Sequence, residues 1–199
     1  MKKFILSLGL LAGVAGAANA QEFRLGVKAG VGLASISGDG ASGTNKKNLV
    51  VPSAGLMADI SFSDLISFHP ELLYSQKGFR YESGSNYAQS RLSYLDLPLL
   101  LRVKAQGLFF EAGPQVGFLI AEKDEINVQG VGTMTSTSTD GTRKVDAGYI
   151  VGVGYQLPQG LELGIRYNGG ISDIIDPSGS SKVRNSVFQF QLGYLFGGK

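Results

Sequence analysis

From Phe23 onward, apolar residues occupy every second position. Phe23, Leu25, Val27, Ala29, Val31 and Leu33 alternate with Arg24, Gly26, Lys28, Gly30, Gly32 and Ala34. A period of two belongs to an extended strand with two unlike faces, because successive side chains of a strand point in opposite directions. The pattern recurs from Ala54 to Phe62, Ile66 to Tyr74, Leu95 to Val103, Leu108 to Ile120, Val145 to Leu157, Leu161 to Tyr167 and Phe188 to Phe196. It predicts eight strands of about 9 to 13 residues, enough for a tilted strand to cross a bilayer. No segment beyond residue 20 is apolar enough for a membrane helix.

The connections alternate in length. Long polar segments run near Ser35 to Leu49, Gly78 to Ser90, Glu122 to Lys144 and Ser172 to Arg184, and tight turns fall at Ser63-Asp64, Ala105-Gln106-Gly107 and Pro158-Gln159-Gly160. Outer-membrane barrels pair short periplasmic turns with longer outer loops. The order implies an even strand number, both termini on the periplasmic side, and irregular outer loops, the one from Glu122 to Lys144 being mobile.

The second face of the strands carries charge and glycine. Arg24, Lys28, Asp59, Glu71, Lys77, Asp96, Arg102, Lys104, Glu111, Asp146, Glu162 and Arg166 are interleaved with glycines, which number 29 in the chain. A small barrel holds only side chains in its interior, so bulky charged groups there need small neighbours and opposite charges. The expected interior network is Arg24, Lys28, Asp59, Glu71, Asp96, Arg102, Glu111, Glu162 and Arg166. Alternation alone does not say which face is inside, and a soluble lipocalin-like barrel would reverse the two. Its outer face has no need of so many glycines. The pattern therefore favours an all-β fold, an eight-stranded antiparallel up-and-down transmembrane β-barrel.

The first residues carry an address. Lys2 and Lys3 precede the apolar stretch Phe4 to Ala17, and Ala18-Asn19-Ala20 is an A-x-A cleavage site, which together read as a secretory signal peptide over 1–20. Residues 21–199 then form one barrel domain. Cysteine is absent, which excludes a disulfide framework and thiolate metal sites. The net charge of +2, with scattered basic residues, argues against nucleic acid as a partner.

Several segments carry a resemblance. Val27 to Leu33, Pro70 to Gly78, Tyr94 to Leu100 and Glu111 to Gln115, with Gly152-Val153-Gly154-Tyr155 and Arg166-Tyr167-Asn168, resemble the PorT-like outer-membrane β-barrel proteins of Gram-negative bacteria. The resemblance covers nearly the whole mature chain and implies fold and outer-membrane location more than activity. Some members of that family are associated with protein secretion. The chain departs from the usual aromatic terminus of such barrels, since Gly197-Gly198-Lys199 follows Phe196.

Chemistry-bearing constellations are few. His69, the one histidine, lies in phase with Glu71 near the periplasmic end of its strand. A lipid hydrolase would need it beside a serine and a carboxylate, with access to outer-leaflet lipid. Gly30-Val31-Gly32 and Gly152-Val153-Gly154 lack the lysine and helix of a nucleotide site. The cluster Glu122-Lys123-Asp124-Glu125 and the pair Asp173 and Asp176 lack calcium-loop spacing. No catalytic, cofactor or metal residue is assigned. Prolines at 70, 98 and 114 each remove a ladder donor from a strand interior at similar heights, which predicts a bulge or widened ladder on one wall. The functional expectation is a monomer in outer-membrane lipid with a closed, ion-paired interior, binding a protein or small molecule at its outer loops; a narrow channel and a lipid-modifying enzyme are the alternatives.

Overall fold

The computed structural model describes residues 22–39, 45–139, 142–174 and 182–197. The expected signal peptide, residues 1–20, lies outside them. The strands are β1 (Glu22–Ser37), β2 (Lys46–Lys47), β3 (Leu49–Ser61), β4 (Ile66–Ser83), β5 (Asn86–Ala105), β6 (Leu108–Val128), β7 (Gly132–Ser136), β8 (Val145–Gln156), β9 (Leu161–Gly170) and β10 (Arg184–Leu195). Eight of them close an antiparallel ring in the order β1, β3, β4, β5, β6, β8, β9, β10, with β10 returning to β1 through pairs from Gly26↔Leu195 to Ser37↔Arg184. The short β2 and β7 stand outside the ring, on β4 and β6.

The stagger of the ring can be counted from its pairs. Phe23 faces Ile60, Ile60 faces Phe68, Phe68 faces Leu101 and Leu101 faces Ala112. Ala112 faces Val151, Val151 faces Tyr167, Tyr167 faces Phe188, and Phe188 faces Leu33, which lies ten residues beyond the starting point on β1. A closed eight-stranded ring with such a shear encloses a bore that side chains can fill.

Burial settles which face is inside. Phe23, Leu25, Val27, Leu56, Leu101, Phe110, Leu163 and Phe190 stand exposed on the outer wall, while Lys28, Asp59, Glu71, Arg102, Glu111 and Arg166 are buried within. This is the inverse of a soluble barrel, whose apolar face would be inward. Inner glycines make the room: a Cβ on Gly154 would come 2.3 Å from the Phe109 ring, and one on Gly117 would come 2.2 Å from Asp96 Oδ1. At the short end, Gln106 and Gly107 both have positive φ, 50° and 88°, the geometry of a type I′ turn that suits the twist of β5 and β6.

Two expectations need correction. Gly78 to Ser90 is not an irregular loop: β4 and β5 remain paired out to Ser83↔Asn86. Glu122 to Lys144 is not irregular throughout either, because β6 continues to Val128 and turns back as β7. Both extensions pair backbone to backbone, and the groups left on their edges are open to water, so no packed core is required. At the prolines the structure shows the widened ladder, one of the two expected forms: pairing is interrupted at each of them, without the register shift of a bulge. The pairs that would join Ala58 to Pro70, Glu71 to Pro98 and Leu99 to Pro114 are missing, while Pro70↔Leu99, Pro98↔Gln115 and Pro114↔Tyr149 are kept on the other sides. Each proline thus loses pairing only toward the preceding strand, as expected of a missing donor. The true bulge lies higher, where the β5–β6 register shifts between Ser93 and Tyr94.

Candidate functional site

The alternation of each strand delivers its polar phase to the bore, where the charged groups stack in three tiers. Nearest the short turns, Asp59 accepts from Lys104, from Arg24 at 3.4 Å, and faces His69 Nδ1 at 3.4 Å. Above it, Glu71 accepts from Lys28 and, at 2.7 Å, from Arg166, and lies 3.5 Å from His69 Nε2. In the same tier Arg102 bridges Glu111 at 2.8 Å and Glu162 at 2.6 Å, its guanidinium 3.9 Å from the centre of the Phe109 ring. The upper tier joins Lys77 to Asp96 at 3.2 Å and to Asp146 at 3.0 Å, with Ser75 donating to Asp96 and Asn185 donating to Asp146.

The sequence-derived set thus spreads over three tiers, the lower two joined through His69. Arg24 and Asp59 meet in the lowest. Lys28, Glu71, Arg102, Glu111, Glu162 and Arg166 share the middle, and Asp96 stands in the upper one apart from the other eight. Lys77, Lys104 and Asp146, which the sequence places on the same face but outside the expected network, belong to it as well. Sequence reasoning left out the neutral partners that complete the tiers: Asn168 donates to Gln115 at 2.8 Å, and Arg166 donates to Gln189 at 2.9 Å. Phase within each strand was the available signal for these as well.

His69 is fully buried, and its ring contacts are carboxylates rather than a serine. Those carboxylates hold the imidazole in place from both of its ring nitrogens. Ligand atoms of His69, Glu71 and Glu111 lie within 4.8 Å of one another, a spacing that a metal could span. Lys28, Arg166 and Arg102 already occupy those carboxylates, so a cation there would face three others.

Over the upper tier lies an apolar lid of Ile36, Leu92, Tyr94, Ile174 and Val183, with Phe79, Tyr81 and Leu119 packed against it. Between the middle-tier groups, a void of about 10 Å³ borders Lys28, Phe109, Glu111 and Glu162, room for one water at most.

Beyond the bulge, β4, β5 and β6 leave the ring and rise together, flanked by β2 and β7, to form a sheet in the order β2, β4, β5, β6, β7. The extra residue in β6 moves Glu122, Asp124 and Ile126 into the phase that points to the concave side. The four acidic and basic residues read as one cluster are therefore split between two faces. Lys123 pairs with Glu125 at 2.6 Å on the convex side. Hydrogen bonds from Lys123 and Gln89 hold the Glu125 carboxyl below the usual carboxylate range. Arg80 covers the Tyr87 ring at 4.2 Å. Asp173 meets Arg184 at 3.6 Å, and Asp176 lies outside the described residues.

A family comparison agrees with this architecture. Residues 19–176 match the family described as outer membrane protein beta-barrel domain. Among solved structures, the chain is similar to Neisserial surface protein A at 15% identity, covering 85% of this chain and 96% of that one with a TM-score of 0.49. It is similar to Ail, the attachment invasion locus protein of Yersinia pestis, at 13% identity, covering 88% and 99% with a TM-score of 0.48. OprG of Pseudomonas aeruginosa shares 16% identity over 88% of this chain and 95% of its own, with a TM-score of 0.39. A search of curated proteins returned no match.

Proposed function

The chain belongs to the outer membrane protein β-barrel domain family and resides in the outer membrane of Gram-negative bacteria, and from that premise we propose that it is a non-conducting, non-enzymatic barrel that carries a binding surface above the membrane. The observation that carries this reading is the filled bore: Arg102 and Tyr94 are 0% exposed and Lys77 is 1% exposed, and the apolar lid closes the outer end. Water-filled conduction needs a continuous lumen, which wider barrels have and an eight-stranded one fills. The protein is a monomer in outer-membrane lipid, needs no cofactor, binds no nucleic acid, and meets a protein or small-molecule ligand through its outer segments. Placement among the PorT-like proteins is supported by the segments Pro70 to Gly78 and Tyr94 to Leu100, which lie on β4 and β5 beside the proline gaps.

Reconstitution into planar bilayers tests the closed bore. The expected result is a quiet membrane, from protein that migrates faster on gels before heating, as a closed hydrogen-bonded ring does. Steady unitary conductance steps from such folded protein would favour the narrow-channel reading instead.

A further inference from the structure

The extension above the bore ends in an edge. β7 pairs with β6 from Asp124↔Ser136 to Val128↔Gly132, and among the described residues it pairs with nothing on its other side. All five of its residues are exposed. Natural sheets protect such edges with lysine, proline, inward charge or a covering segment. Gly132-Thr133-Met134-Thr135-Ser136 contains none of these residue types, and its β-branched threonines favour the extended state.

The two faces of this edge differ. On the concave side, one cross-strand row runs Tyr81↔Ala88↔Ile126↔Met134. It begins against the apolar lid and ends at Met134, 70% exposed, with Ile126 beside it at 52%. On the convex side the matching row is Arg80↔Gln89↔Glu125↔Thr135, polar throughout. An added strand would therefore continue an apolar row on one face and a polar row on the other. The bulge in β6 creates this arrangement, because its extra residue sets the phase of Ile126, and pairing with Ile126 sets that of Met134.

We infer that the free edge of β7 is a docking site for an extended, alternating apolar and polar segment of another protein, bound by β-strand addition. Main-chain hydrogen bonds to the open edge supply affinity, and an apolar side chain beside Met134 supplies register. A second copy is the less suitable occupant. Copies in one membrane are related by rotation about its normal, which leaves both β7 strands running in the same sense, and identical strands could then meet only in the less stable parallel arrangement. The inference rests on the reading of the extension as the working surface.

The test uses the folded full-length mature barrel in lipid nanodiscs. The probe is a fluorescent synthetic peptide of alternating valine and threonine with a lysine at each end. Saturable binding by anisotropy is expected, weakened at least tenfold when every second peptide amide is N-methylated, since methylation removes donors while adding apolar surface. Met134→Lys should weaken it similarly, and because this side chain is exposed, the variant should keep the fast gel migration of the folded barrel. Absence of saturable binding, equal binding of the methylated peptide, or binding unchanged in Met134→Lys would overturn the inference. So would disulfide cross-linking between copies through Thr135→Cys, which would make a second copy the occupant. Conductance together with intact peptide binding would remove only the closed-bore reading; a quiet bilayer without peptide binding would remove only this inference.

Discussion

The same three strands, β4, β5 and β6, are built by opposite rules at their two ends. Below the bulge their outer wall is Leu72, Leu95, Leu97, Leu99, Leu101 and Val116, and their inner wall holds Glu71, Asp96, Arg102 and Glu111. Above it, charged pairs such as Lys123 and Glu125 stand in the open, and the apolar row from Tyr81 to Met134 lies on the concave side. Backbone pairing runs through both regions, so the difference does not come from secondary structure. It comes from the medium. Where lipid surrounds the wall, apolar side chains must face out and every charge must find a partner inside. Where water surrounds the sheet, charges can face either way and ion pairs become weak.

The largest effect should come from leaving a charge unpaired in the lower region. Arg102→Leu strips both Glu111 and Glu162 of their guanidinium while all three positions remain buried. Removing one partner of a buried ionic group costs about 3–5 kcal/mol. Arg166→Leu should cost somewhat less, because Glu71 keeps Lys28. Urea titration of the barrel in lipid vesicles measures both. An Arg102→Leu midpoint equal to wild type would mean that the interior is hydrated well enough to solvate its carboxylates, which would erase the contrast with the region above.

Sequence reasoning reached these two regions unequally, for physical reasons. In the lower region each strand separates an apolar from a polar face, and the period of two is readable at once; strand number, the inverted faces and the inward charges follow from it. Lys77, Lys104 and Asp146 could be placed on the inner face, but their partners could not, because pairing depends on the ring's stagger and not on phase. The upper region reads as loops in the sequence. Residues such as Arg80, Glu82, Gln89, Lys123 and Glu125 put polar groups where a membrane strand would show apolar ones, so the alternation fades although the backbone remains paired. The bulge left no mark either, because Ile120 and Ala121 both face outward and read as ordinary continuation. The prolines were legible as lost donors, and the retention of register beside them was not, since the neighbouring pairs Pro70↔Leu99 and Pro98↔Gln115 hold it.

A middle-sized effect should follow from filling the space that the lower region reserves. Gly154→Val would place its Cβ 2.3 Å from Phe109 and 2.4 Å from the Leu163 carbonyl oxygen. Phe109 lies against Arg102, so it has little freedom to yield. Overpacking of this kind costs about 1–3 kcal/mol. Gly154→Ala should show a milder loss in the same titration. A fully tolerated valine would show that Phe109 can swing away, and that the fit between glycine and charge is looser than the contacts imply.

The smallest effect should come from the upper region's own ion pair. Lys123 and Glu125 approach at 2.6 Å, as close as Arg102 and Glu162, yet the Lys123 side chain is 51% exposed. Exposed pairs contribute about 0–1 kcal/mol, so Lys123→Ala should shift the urea midpoint barely or not at all. The direction of its pH dependence is set by Glu125, whose carboxyl is held below the ordinary range by Lys123 and Gln89. A lowered folded-state pKa means that the contribution is present above the unfolded value of about 4.3 and is lost as pH falls through the lowered one. Any difference between Lys123→Ala and wild type at neutral pH should therefore vanish in acid, and it should shrink in high salt, where exposed charges are screened. A loss as large as that of Arg102→Leu, insensitive to salt, would mean that the extension is packed against something that excludes water, and the two regions would then obey one rule instead of two.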